Sequence, residues 1–109
     1  MTIEEALCGV PYPVCHPPYR GSESKYVTFQ LLGQFGMLYA DDAEAETAVQ
    51  YMLHLWAHDG RDLYVMLHEV RTALEAADWI VTVDTQIYDQ DSRMHRLVLN
   101  ASAVGAIYG

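Results

Sequence analysis

His54 and His58 stand four residues apart, the spacing that sets two metal ligands on one face of a helix. On a strand the same pair shares a face but stands about 13 Å apart, from the usual rise per residue. No glutamate adjoins His54, so the zinc-protease pattern is absent. Cys8, Cys15 and His16 do not form a paired C-x-x-C knuckle. Cys15 and His16 are of nucleophile and base type, but neighbours on an extended chain point to opposite faces. Asp84, Asp89 and Asp91 are candidate paired carboxylates. A polar strand face and a turn account for them, because turn aspartates hydrogen-bond their own backbone. There is no glycine-rich phosphate loop and no G-x-S-x-G. The residues therefore assign no catalytic group, no metal ligand and no cofactor, and the chain does not read as an enzyme.

Composition narrows the class further. A chain of 109 residues fits one domain, residues 1–109, and 51% hydrophobic content supports a real but thin core. The net charge is −9, and Lys25, Arg20, Arg61, Arg71, Arg93 and Arg96 are the whole basic set. Direct phosphate binding needs clustered cations, so this balance argues against it. Eight tyrosines suit ordinary strands and also surfaces that become buried on association. No run approaches the roughly 20 apolar residues of a membrane span. The acidic start MTIEEAL does not read as a signal peptide, and two thiols without one are expected reduced, in a cytosol.

The elements that must position these groups follow in order. Thr2 and Glu5 have capping-box spacing and start a short helix in residues 1–9, stopped by Gly9, Pro11 and Pro13. Residues 10–25 are proline-rich and extended, confined to an edge or a loop. Residues 26–34 read as a strand, with Gly36 beyond it as a place for a bend or bulge. Asp41 and Asp42 start a polar turn. Residues 44–58 carry both periods: Val49, Met52, Leu53 and Trp56 make a helical stripe, while Thr47, Val49, Tyr51, Leu53 and Leu55 alternate as a strand. Asp59-Gly60 breaks this segment, and Asp62 is expected to cap a helix over 62–77. Leu63, Leu67, Val70, Leu74 and Ala77 form its apolar face, with Met66 and Ala73 beside them. Arg71 and Glu75 pair on its outside. Trp79, Val81, Val83, Thr85 and Ile87 read as one face of a strand, residues 89–93 as a turn, and Leu97, Leu99, Ala101 and Ala103 as one face of the last strand. The helix face is expected to pack on Val81, Val83, Leu97 and Leu99.

The segments YVTFQLLGQ, YADD, YMLHLWA, DLYVMLHEVRTALEAADW and IYDQDSRMHRLVLNAS resemble the tail-completion proteins of long-tailed bacteriophages. These are tail-terminator and head-to-tail joining proteins, also found in prophages and gene transfer agents. The likeness spans roughly residues 10 to 104. It implies an α+β domain: an antiparallel sheet of about four to five strands with one long helix, and a short N-terminal helix, packed on it. It also implies that residues 48–58 are a strand, and that residues 26–104 hold sheet and helix together. The implied role is a virion structural subunit in a hexameric ring that ends the tail tube and joins it to the head connector, assembled in the host cytoplasm. DNA would pass through the ring without specific binding, and no membrane is involved. Other readings are a head-completion stopper and a small cytosolic metal- or ligand-binding domain. The chain departs from the family in its short first helix, in VCHPPY, and in Asp78, where a glycine often closes the helix.

Two polar hairpin tips are the expected contacts with neighbouring subunits or the adjoining ring. One contains Tyr39, Asp41 and Asp42; the other contains Tyr88, Asp89, Asp91 and Arg93. A ring of such chains is also expected to have an acidic channel, since cations would hold phosphate and slow DNA.

Overall fold

A computed structural model describes residues 2–38 and 45–104, with side chains for residues 2–33 and 48–103. The elements are α1 (Ile3–Ala6), β1 (Val14–Cys15), β2 (Tyr26–Leu38), β3 (Ala45–Ala57), α2 (Gly60–Ala76), β4 (Ile80–Asp89) and β5 (Met94–Val104). They build a five-stranded sheet in the order β1-β2-β3-β5-β4 with α2 across one face, an α+β fold. All pairings are antiparallel except the two-residue contact of β1 with β2, which is parallel.

The N-terminal helix forms as its capping box dictates. The Thr2 hydroxyl accepts from the Glu5 amide at 3.1 Å, and the Glu5 carboxylate accepts from the Thr2 amide at 3.4 Å. Ile3 and Leu7 enter the main core. The proline-rich segment then runs along the sheet edge, where only β1 pairs. Tyr12 ties it to α2: its hydroxyl donates to Glu69 at 3.1 Å. Partial burial and the Glu69 carboxylate push that phenol up to about 12.

The segment of double periodicity is a thirteen-residue strand, β3. It is the central seam, pairing β2 on one side and β5 on the other. Burial on that site favours the strand reading, because Val49, Leu53, Leu55 and Ala57 all turn to the helix and are almost fully buried. From β5, Leu97, Leu99, Ala101 and Ala103 meet them as expected.

Three expectations need correction. Asp59, not Asp62, caps α2: its carboxylate accepts from the Arg61 amide at 2.9 Å, and the helix starts at Gly60. The bulge of β2 falls between Leu31 and Gly33 rather than near Gly36. A second bulge, between Val83 and Thr85 of β4, shifts the register by one residue and reverses the alternation beyond it. Val81 and Val83 therefore do not share a face with Thr85 and Ile87. Only Val81 is buried, and Val83 is 48% exposed, so it does not complete the core under α2.

The end of α2 bears out the reading of Asp78. Its φ is 65°, in the left-handed region. The Trp79 amide donates to the Leu74 carbonyl and the Asp78 amide to Glu75, both at 3.0 Å, which is a Schellman closure with aspartate where glycine is usual. Asp78→Gly is expected to raise stability by about 0.5–1 kcal/mol in a denaturant titration, since glycine adopts this conformation without a Cβ penalty. An unchanged or lower midpoint would mean that the aspartate side chain compensates.

Candidate functional site

The second hairpin tip is fully described. Asp89 is engaged in shaping its own turn: its carboxylate accepts from the Asp91 amide at 3.1 Å and from the Ser92 hydroxyl at 3.0 Å. Arg93 closes the turn at φ 57°, and its carbonyl lies 3.3 Å from Nδ1 of His58. Tyr88 is 49% exposed and packs against His95 at 4.8 Å between ring centroids. Tyr88, Asp91 and Arg93 thus stand together at one end of the β4–β5 hairpin, with Asp91 and Arg93 exposed. Tyr39, Asp41 and Asp42 lie outside the described residues.

The groups of catalytic or ligand type are scattered. His54 projects from β3 away from α2, whereas His58 lies beyond the strand end against the Arg93 carbonyl. Among the described residues, no group of three or more His, Cys, Asp or Glu side chains is placed to hold a metal ion. Cys15 pairs in register with Thr28, while the His16 ring packs on Phe29 at 4.4 Å, so the two point to opposite sides of the sheet. Burial pushes the Cys15 thiol up, away from the reactive thiolate. Asp84 occupies the bulge of β4.

The structure assembles a different cluster on the sheet face opposite α2. Tyr26, Trp56 and Arg96 stand directly opposite one another across β2, β3 and β5. Tyr19 stacks on Tyr26 at 4.2 Å, Tyr26 on Trp56 at 5.7 Å, and the Arg96 guanidinium lies 5.2 Å from the Trp56 ring centroid. Gly21 lacks the Cβ that would collide with the Tyr19 ring, which lets the loop close over Tyr26. The Trp56 indole donates to the Thr28 hydroxyl at 3.1 Å. Pro17, Gln30, Met52 and His54 complete a shallow depression beside it. Burial, then the nearby Arg96 charge, hold His54 below the usual histidine value. Arg96 Nε is buried without a hydrogen-bond partner among the described residues. This face offers stacked rings and one cation held over the Trp56 ring.

The sequence signal for this cluster is period 2. Tyr26, Thr28 and Gln30, then Met52, His54 and Trp56, occupy alternate positions, but the second set is visible only once residues 48–58 are read as a strand.

No family model matches the chain, and a comparison with curated proteins finds no match. Among solved structures, the chain is similar to one from the virion of a native gene transfer agent particle. The identity is 15% and the TM-score 0.62, and the alignment covers 95% of this chain and 92% of that one. At that identity the likeness shows a shared fold over nearly the full length of both chains.

Proposed function

We propose that this chain is a structural component of a phage-like virion, without enzymatic activity, and that it works as a tail-completion subunit. In this reading several copies, a hexamer by the family resemblance, form a ring that terminates the tail tube and joins it to the head connector. The observation that carries it is the end-to-end likeness of fold to a chain from a gene transfer agent virion. The resemblance of the β4–β5 hairpin and α2 to tail-completion proteins supports the same reading.

The exposed tip formed by Tyr88, Asp91 and Arg93 is the proposed contact with the adjoining ring, together with Tyr39, Asp41 and Asp42 on the other hairpin. Asp89 supports this surface indirectly by shaping the turn. The ring's channel is proposed to be acidic, in line with a net charge of −9 per copy.

Electron microscopy of particles from cells lacking this chain tests the role. The expected outcome is filled heads and separate tail tubes, rejoined when the chain is supplied. Complementation by a chain carrying both Tyr88→Ala and Arg93→Ala is expected to fail, although the purified variant keeps its unfolding midpoint. Normally joined particles in the absence of the chain would overturn the reading.

A further inference from the structure

The sheet has two unequal borders. At one, β1 pairs only Val27 and Thr28, so among the described residues β2 has no outer neighbour from Gln30 to Leu38. At the other, β4 has no outer neighbour among the described residues along Ile80–Asp89. An open edge is a row of unused amide and carbonyl groups, and folded chains usually guard it with lysine, proline or a charge. Neither Gln30–Leu38 nor Ile80–Asp89 contains lysine or proline, and β4 carries only Asp84 and its terminal Asp89 as charges.

Apolar side chains concentrate at the same two borders. Leu31 and Leu32 on β2 are 50% and 45% exposed; Ile80 and Val83 on β4 are 63% and 48% exposed, with Ile87 and Tyr88 beside them. Among the described residues, the remaining large exposed hydrophobics are Tyr64 and Val65 of α2. The Tyr64 hydroxyl donates to Gln86, so that tyrosine flanks the β4 border too.

We propose that copies of this chain join edge to edge, β4 of one against the free length of β2 in the next. The strand directions favour this occupant. From β2 through β3 and β5 to β4 every pairing is antiparallel, so the first and fourth strands run in opposite directions. Copies repeated in the same orientation therefore bring β4 antiparallel to the neighbouring β2, the more stable ladder. The two borders also match in length: β4 has ten residues, and Gln30 to Leu38 supplies nine. A contact between two different borders is head-to-tail, and a head-to-tail contact closes into a ring when the rotation per copy allows. A β4–β4 pair would instead stop at a dimer and leave the two exposed leucines of β2 uncovered. The inference deepens the ring reading by naming the surfaces that join its subunits.

Complementary variants test it. Leu31→Lys with Leu32→Lys disables the β2 border, and Val83→Lys with Ile87→Lys disables the β4 border. All four positions are at least 38% exposed, and circular dichroism and unfolding midpoints verify that each variant folds. In sedimentation velocity and native mass spectrometry, the unaltered chain is expected to form assemblies larger than a dimer. Each variant alone is expected to be monomeric, and an equimolar mixture to give a 1:1 heterodimer, because each partner supplies one intact border. Self-dimerisation of the β2 variant would overturn the proposal in favour of a β4–β4 pair. An unaltered chain that stays monomeric at its solubility limit, or variants that both assemble normally, would overturn it outright. These measurements need only purified chain. Heterodimers from a chain that proves absent from tails would sink the tail-completion reading alone, and joined tails built from either variant alone would sink the edge pairing alone.

Discussion

Trp79→Ala is expected to destabilise the protein by about 3–5 kcal/mol, the usual range for removing a buried tryptophan. Trp79 is 2% exposed, immediately beyond the left-handed turn that closes α2. Its ring meets Tyr51 edge-on at 5.9 Å, and Tyr51 meets Phe29 in the same way at 6.0 Å. This aromatic chain links the end of α2 to β3 and β2, so truncation leaves a cavity at the junction of three elements. The indole nitrogen has no hydrogen-bond partner among the described residues. Trp79→Phe therefore sacrifices no hydrogen bond to the described residues and is expected to cost less than about 2 kcal/mol, chiefly lost contact area. Equilibrium unfolding in urea checks both. A loss below about 1 kcal/mol for the alanine variant would show that the site collapses freely or is not buried.

Met66→Ala is expected to cost about 2–5 kcal/mol and to exceed the cost of Leu67→Ala. Met66 is fully buried, whereas Leu67 is only partly buried against the core. The buried line along α2 is Leu63, Met66, Val70 and Leu74. Leu67 lies at the margin of that line, where a smaller side chain leaves a surface dent rather than a cavity. A larger loss for Leu67→Ala in the same titration would reverse the ranking.

That ranking also marks the limit of what periodicity discloses. The pattern of α2 identifies a wide apolar face, but which residue sits at its centre depends on the angle at which the sheet meets it. Much local chemistry was legible: the Thr2–Glu5 box, the Arg71–Glu75 pair at 2.7 Å, and Asp78 in the left-handed turn stand as the sequence implies, whereas the cap of α2 falls on Asp59 rather than Asp62. The helix-side face of β5 was legible too, because Leu97, Leu99, Ala101 and Ala103 keep period 2, although Val98 on the other face is buried as well. The face of β4 was not. The bulge between Val83 and Thr85 adds one residue, and nothing in VTVDTQI marks it, since aspartate in a strand is equally an exposed strand residue. For β3, Val49, Met52, Leu53 and Trp56 satisfy a helical stripe by coincidence, and only the partners on both sides decide the matter. The Tyr26–Trp56–Arg96 row stayed hidden for that reason. It needs three strands in register, and register is a property of the sheet rather than of any one segment.

The sheet also partitions the chain's two tryptophans, with Trp79 on the helix side and Trp56 on the opposite face under Arg96. One protein thus carries two optical probes screened from each other by a layer of backbone. Emission from Trp79 follows the interior as it loosens. Emission from Trp56, half-buried and next to a guanidinium, follows whatever approaches the uncovered face. With either indole replaced by phenylalanine, the remaining one reports on unfolding or on contact without a dye or a label.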